Sequence, residues 1–392
     1  MEKTIRIAIF GGLRGMSYYD PIMAIPGFTI CAVCEQNPET RKSILEKVGH
    51  DTVVCEDFDT LLEQKPDAVI LANYFHEHCK YAIRAMEAGI DVISETTAAP
   101  TPGEALDLLE CCEKTGRKYM LAANCPTMVG PLEMTRRYRE GKLGDVLYAE
   151  AEYFHNLEGH DEQAAAKQYY PTETHWRRFI PSPYYNMHSM GVLMAATGLL
   201  PKRVTAMEIQ NPAYADSLNI KTNRTAGGIA LYEMENGAIF RSTGWCDVGP
   251  DGKWFRLSCQ NGTVETERLN QDRILYRPYG EPAVSYDPAE QYTEEEKLSG
   301  HGGADARICR QICDYLSGVT AEPIFDLYRA VTLSLAGIYA FYSILEGKTF
   351  SIPDVKDKAA REVLRGDYRS TFPDENDART LPCCRKEAAE RN

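Results

Sequence analysis

The chain has 392 residues, 44% of them apolar and 26% charged, and a formal net charge of −14. That length exceeds one ordinary hydrophobic core and predicts two domains. The negative charge opposes nucleic acid and anionic membranes, so neither is expected as a partner. The N-terminus, MEKTIRIAIFGG, enters a strand pattern at once, without the basic and apolar stretches of a signal peptide. No run approaches the uninterrupted apolar length of a membrane span. The 13 cysteines, an odd number scattered through predicted strands and helices, suit reduced thiols in the cytoplasm. Cys31-Ala-Val-Cys34 has redox spacing, but strand residues three apart point to opposite faces. No cysteine and histidine grouping has zinc-site spacing, so no metal is expected.

Up to about residue 125, short apolar runs alternate with helical stretches, the pattern of a doubly wound parallel sheet. Strands are predicted at Ile5–Phe10, Phe28–Cys34, Ala68–Leu71, Asp91–Ser94 and Tyr119–Ala122. Helices are predicted at Thr40–Val48, His78–Ala88 and Pro102–Thr115, with Gly89 and Gly116 stopping the last two. After Pro126 the pattern changes. A helix over Gly130–Glu140 leads into a strand at Val146–Phe154, with further strands at Arg203–Ile209, Gly228–Glu233, Ala238–Trp245, Trp254–Cys259 and Thr263–Glu267. Helices return at Ala304–Leu316 and Tyr328–Leu345. The expected architecture is α/β: a Rossmann domain over 1–125, then an α+β domain over 126–366 with a large, mostly antiparallel open sheet. A polar tail over 367–392 is expected to be loosely ordered or laid on the surface.

Gly11, Gly12, Leu13, Arg14 and Gly15 follow the first strand. A glycine-rich turn from strand into helix lets backbone N–H groups approach a pyrophosphate, although Phe10 stands where GxGxxG has its first glycine. Glu35 ends the second strand twenty residues after Gly15, where a carboxylate can bind ribose hydroxyls and repel a 2′-phosphate. NAD is therefore the expected cofactor.

The stretch from Ala68 to Pro100 resembles the nucleotide-binding domain of the glucose–fructose oxidoreductase, inositol dehydrogenase and MocA family. The matching positions are Asn73, His78, Ala88-Gly89 and Glu95-Thr96-Thr97, where the family has Glu-Lys-Pro. The resemblance implies that Asn73, His78, Glu95 and Thr96 line the cofactor. Its lysine is Thr96 here, and Tyr184 replaces the Asp four residues before the family's active-site His. Within that superfamily, Tyr185-Asn-Met-His188-Ser-Met-Gly191 is similar to the Tyr-x-x-His-x-x-Gly of the NAD-dependent glycosidases of glycoside hydrolase family 109. Tyr153 in Glu150–His155, the Trp176-Arg177 pair after His175, and His301-Gly-Gly-Ala-Asp305 resemble further segments of that group. Its Glu-Asn pair is Ala123-Asn124 here.

Taken as implied by this resemblance, His188, Tyr185 and Tyr153 are the catalytic residues. Asn124, Trp176 and Arg177 join the cofactor set, while His155, His175, His301 and Asp305 touch substrate or, for the last two, open a helix. Imidazole titrates near neutrality, which suits His188 to taking a hydroxyl proton. If Tyr185 and His188 share one helical turn, they face the same side. The loop Gln168–Tyr185, rich in tyrosine and proline, suits a sugar-stacking wall or a dimer contact. The expected function is NAD-dependent oxidation of a secondary hydroxyl, at C3, of a sugar or glycoside by a homodimer or homotetramer. A redox-neutral glycosidase, a sugar epimerase with tightly held NAD and a non-catalytic NAD- or sugar-binding protein stand as alternatives.

Overall fold

Ile5–Phe10 (β1) ends in four consecutive buried residues and Phe28–Cys34 (β2) in five. Continuous burial of this kind belongs to parallel strands covered on both faces. The computed structural model describes residues 4–155, 176–210, 225–246, 248–288, 293, 296, 299–372 and 378–381. It divides into unit 1 (Met1–Ala99, Glu104–Met128 and Tyr292–Val331) and unit 2 (Pro100–Gly103, Val129–Gln291 and Thr332–Asn392).

In unit 1, β1 and β2 join Val53–Cys55 (β3), Ala68–Leu71 (β4), Asp91–Ser94 (β5) and Tyr119–Leu121 (β6) in the order β3-β2-β1-β4-β5-β6. All neighbours are parallel. The order reverses between β1 and β4, the switch point at which doubly wound sheets bind ligands. Helices Gly12–Met23 (α1), Pro38–Leu45 (α2), Phe58–Glu63 (α3), His78–Glu87 (α4) and Pro102–Thr115 (α5) link the strands. The α2 helix starts earlier than its periodicity suggests, because the Asn37 side chain accepts from the Glu39 and Thr40 amides and Pro38 fits the first turn. β3 and α3 escaped the sequence pattern because they are only three and six residues long.

The helix Ala304–Ser317 also belongs to unit 1. Its Ile308, Cys309, Ile312 and Cys313 share a buried core with Tyr18, Tyr19 and Ile22 of α1. The segment Tyr292–Val331 therefore groups with the N-terminal sheet, whereas the sequence pattern divides the chain once, near residue 125.

Unit 2 holds Val146–Phe154 (β7), Pro201–Gln210 (β8), Thr225–Met234 (β9), Ile239–Cys246 (β10), Gly252–Cys259 (β11), Gly262–Thr266 (β12), Ile274–Pro278 (β13), Val284–Tyr286 (β14) and Phe350–Ser351 (β15). Their order is β14-β13-β12-β11-β7-β10-β9-β8-β15, with β7 and β10 parallel and the other neighbours antiparallel. One face packs on helices: the Tyr232 hydroxyl donates to the Ala336 carbonyl at 3.3 Å, and the Ala206 amide to Ser343 Oγ at 2.9 Å. On strands β7, β10, β12 and β13 the other face carries ion pairs, Arg241 with Glu150 and Glu152, and Arg277 with Glu265.

The helix Leu327–Glu346 is long and apolar enough to cross a membrane, and 83% of its apolar window is buried inside the protein, as in a core helix. In the described part of the tail, Thr371, Phe372, Thr380 and Leu381 are buried and Ser370 bridges Thr380, which is packing rather than loose order, the two states the polar tail left open. All described cysteines are buried and free, and Cys34 stands opposite Cys55 on the neighbouring strand.

Candidate active site

At the first turn of unit 1, Gly11 adopts φ 94°. A Cβ there would lie 2.4 Å from the Ala72 carbonyl and the Asn73 nitrogen, so only glycine lets the loop after β4 pass this closely. The Glu35 carboxylate has swung to the N-terminus of α1. Its Oε2 accepts from the amides of Gly12 at 2.8 Å and Leu13 at 3.2 Å, and its Oε1 from Asn37 at 2.8 Å. An anion already occupies the helix-terminal donors that a pyrophosphate would use. The glycine turn, these donors and an acidic strand end are the parts that fit a dinucleotide.

Beside them lies a network built on Arg14. Its Nε donates to Glu95 Oε1 at 2.7 Å, and its two terminal nitrogens approach Asp305 at 3.3 and 3.4 Å. The Tyr18 hydroxyl donates to the same Glu95 oxygen at 2.6 Å, Asn124 Nδ2 to Asp305 Oδ1 at 3.3 Å, and His301 Nδ1 lies 2.9 Å from Asp305 Oδ2. Burial pushes both carboxyls up, but the partners outweigh it. Arg14 and the Tyr18 hydroxyl hold Glu95 below the usual carboxylate range, and His301 and Arg14 hold Asp305 well below it. Asp305 is thus a buried member of the ion network in unit 1 and stands in the first turn of the helix Ala304–Ser317, the helix-opening place that was one of its two expected roles; His301 leans on it with its ring partly exposed.

The His78 ring is buried with Nδ1 3.3 Å from the Thr97 carbonyl and Nε2 3.1 Å from the Asn73 carbonyl. Burial pushes its imidazole below the usual value. The ring therefore shapes the loops after β4 and β5 instead of presenting a polar edge. Thr96 is buried beside it and Asn73 half-buried.

In unit 2 the segment Ser182–His188 is a short 3-10 turn, kinked where Tyr185 leaves helical geometry (φ −91°, ψ 47°). Gly337, in the helix Leu327–Glu346, lets it sit close: a Cβ there would lie 2.5 Å from the Pro183 carbonyl. Asn186 Nδ2 anchors it to the Leu333 carbonyl at 3.0 Å. Tyr185 and His188 do face the same side, although the turn is not α-helical. Their rings stack with centroids 5.0 Å apart, and Tyr153 from β7 lies 4.7 Å from His188 and 6.2 Å from Tyr185. Trp176 stacks on Tyr185 at 6.4 Å, and Trp245 meets it edge-on at 6.2 Å. Arg177 lies over Trp176 at 4.6 Å. His155 sits 5.8 Å from Tyr153, with its Nδ1 3.5 Å from Asp251. Burial lowers the His155 pKa, Arg177 and Lys253 push the same way, and Asp251 opposes them.

The structure thus gathers Tyr153, Tyr185, His188, His155 and Trp176 in unit 2, and Gly11–Gly15, Glu35, Glu95, Asn124 and Asp305 in unit 1. His175 lies outside the described residues. Sequence reasoning missed Tyr18, Trp245, Asp251 and Lys253. Tyr18 alone carried a signal, standing one helical turn after Arg14 on the same face. Among the described residues no group of three or more His, Cys, Asp or Glu side chains is placed to hold a metal ion. Chemically, unit 1 offers a dinucleotide cradle, and unit 2 two phenols and two imidazoles walled by indoles, a set suited to moving protons on a polar ligand with an apolar face.

A fold of this order with such a cradle defines a dinucleotide-binding oxidoreductase. The family model described as "Oxidoreductase family, NAD-binding Rossmann fold" matches residues 5–123. The chain is 30% identical to glycosyl hydrolase family 109 protein 1 of Bacteroides thetaiotaomicron, over 77% of this chain and 74% of that protein. It is 25% identical to a glycosyl hydrolase family 109 protein of Saccharopolyspora erythraea, over 85% and 79%. Its fold is similar to an oxidoreductase of Agrobacterium radiobacter solved with NAD+, L-tartaric acid and magnesium, with a TM-score of 0.72 at 16% identity over 89% of this chain and 99% of that one. The chain belongs to the glycosyl hydrolase family 109 branch of the glucose–fructose oxidoreductase, inositol dehydrogenase and MocA family, and is an NAD-dependent enzyme.

Because Glu95 and Asp305 are held below their usual values, their pairing with Arg14 adds stability that is fully present above about pH 4.5. It is lost as the pH falls through the depressed values. Arg14→Met is expected to lower unfolding stability in urea at pH 7 by roughly 2 kcal/mol, allowing for the partial exposure of Arg14. On going to about pH 4 the stranded carboxyls protonate and the gap to the parent protein narrows. A gap that stays constant with pH contradicts the electrostatic role.

Proposed function

We propose that the chain oxidises a secondary hydroxyl of a sugar or glycoside, at C3, with NAD as oxidant. The observation that carries this reading is the close packing of Tyr153, Tyr185 and His188, two phenols and an imidazole within 6.2 Å of one another. NAD, when bound by Gly11–Gly15 and Glu35, supplies the hydride acceptor. His188 takes the hydroxyl proton, and Tyr185, stacked on it, holds the ring in place and shares the proton. Trp176 and Trp245 offer flat faces to the apolar side of a sugar ring. The names of the relatives and Tyr153 beside His188 favour a second outcome on the same site. A C3 ketone acidifies the C2 proton; Tyr153 removes it, the anomeric group leaves, water adds, and the ketone is reduced again. That outcome is a redox-neutral glycosidase.

We also infer a homo-oligomer working in the cytoplasm. Met207, Leu231 and Ile239 are exposed on adjacent strands β8, β9 and β10, and this apolar patch on a sheet face suits a second copy. Sedimentation is expected to give at least a dimer that Met207→Glu weakens; the mass of a single chain for the parent protein overturns it.

The chemistry is tested by following absorbance at 340 nm and nitrophenol release together, with added NAD and a panel of methyl and nitrophenyl glycosides. NADH accumulation without aglycone release is the expected result. Aglycone release without net NADH, with solvent deuterium entering at C2, assigns the redox-neutral route. Silence in both channels with NAD bound rejects the sugar reading.

A further inference from the structure

Tyr153 on β7 and His155, just past its end, are each met by a charge, from Lys253 on β11 and from Asp251 just before β11. Lys253 is the register partner of Tyr153 across β7 and β11, and its Nζ lies 5.7 Å from the centre of the phenol ring. Two residues earlier, Asp251 reaches His155 at 3.5 Å. Directly opposed antiparallel residues share a face, so Lys253 stands on the side of the sheet that carries Tyr153 and, through it, His188. The placement is imposed by strand register: no loop movement is needed to bring cation and phenol together.

A cation over an aromatic face is held by the ring electrons, and more strongly once the phenol has lost its proton and the ring carries negative charge. Other groups around Tyr153 act in known directions. From β7 comes His155, which is disfavoured as a cation by burial. From the Ser182–His188 turn come His188 and Tyr185, and from Trp176–Arg178 comes Arg177, whose charge is felt at His155. Asp251 and Asp272 are the anions nearby; Lys253 in turn lowers the Asp272 carboxyl, which burial raises. Trp245 on β10 adds no charge. Among the described residues, Lys253 places its ammonium over the Tyr153 ring.

We propose that Lys253 is a positioning residue of the sugar site: its ammonium favours the phenolate of Tyr153 and fits that phenol to remove the C2 proton in the redox-neutral outcome, while His188 takes the hydroxyl proton. This rests on the sugar-oxidoreductase reading. The Tyr153 oxygen then accepts the C2 proton beside the C3 ketone, a phenol O–H bond forms, and the electron pair of the broken C–H bond moves into an enolate with its charge on the C3 oxygen. In a chain whose Glu-Lys-Pro lysine is Thr96, unit 2 supplies a cation of its own from a strand that the sequence marks only as structural.

The test uses the full chain saturated with NAD and labelled with 13Cζ-tyrosine, the Tyr153 resonance being assigned by its loss in Tyr153→Phe. In the parent protein the phenol is expected to titrate about one pH unit or more below its midpoint in Lys253→Met. Lys253→Arg, which keeps the charge, is expected to restore the lower midpoint, a rescue that a merely structural lysine would not require. An unchanged midpoint in Lys253→Met, or a phenol that stays protonated to the alkaline limit in both proteins, overturns the proposal. The titration needs no turnover. Silence across the glycoside panel therefore defeats the functional reading, while the midpoints decide the Lys253 assignment separately.

Discussion

One guanidinium ties the cofactor unit together. Arg14 stands in the first turn of α1 and binds Glu95 at the end of β5 and Asp305 in the helix Ala304–Ser317, 291 residues later in the chain. An arginine can hold two carboxylates at once because its donors fan out in a rigid plane. Removing it would leave two partly buried negative charges facing each other, which is far more costly than never having buried them. The network sits beside the glycine turn and behind Glu35, so the residues that would cradle NAD are held by ion pairs as well as by the hydrophobic core.

Unit 2 is organised on a different principle, strand register. Tyr153 meets Trp245 on one neighbouring strand and Lys253 on the other, and the kinked Ser182–His188 turn adds Tyr185 and His188. Each of these residues comes from a rigid element or is anchored to one, as Asn186 is to Leu333, and this is what a site that transfers protons over short distances requires. On the proposed reading the chemistry divides between the residues of the two units. Unit 1 carries the parts that suit a dinucleotide, and unit 2 the titratable groups that would handle the substrate.

The parallel sheet was legible because its strands are continuous apolar runs and its first turn is glycine-rich; β1, β2, β4 and β5 have the bounds the sequence predicts. Local features were legible too, such as Glu35 at the end of β2. What depends on tertiary packing was not. Nothing in the spacing of His301-Gly-Gly-Ala-Asp305 reveals that its helix packs on α1, so the ion pair of Asp305 with Arg14 appears only once the core of Ile308, Cys309 and Ile312 is seen. The backbone carbonyls of Asn73 and Thr97 that meet the His78 ring were not legible either, because position in a motif says nothing of which way a ring turns. Asp251 and Lys253 lie in an Asp-Gly-Lys stretch that is indistinguishable from an ordinary turn, and their value comes wholly from pairing with β7. The tail's polarity left loose order and surface packing open, and a few apolar residues such as Phe372 and Leu381 dock its described part.

The central claim is that cofactor binding and proton transfer reside in different residues. Its most direct test is NAD affinity, by calorimetry, measured alongside turnover of the best glycoside in His188→Ala. The account predicts unchanged NAD affinity with turnover reduced by at least about a hundredfold, in line with the loss of a general base. Loss of NAD binding together with turnover, or turnover that survives without His188, would contradict it.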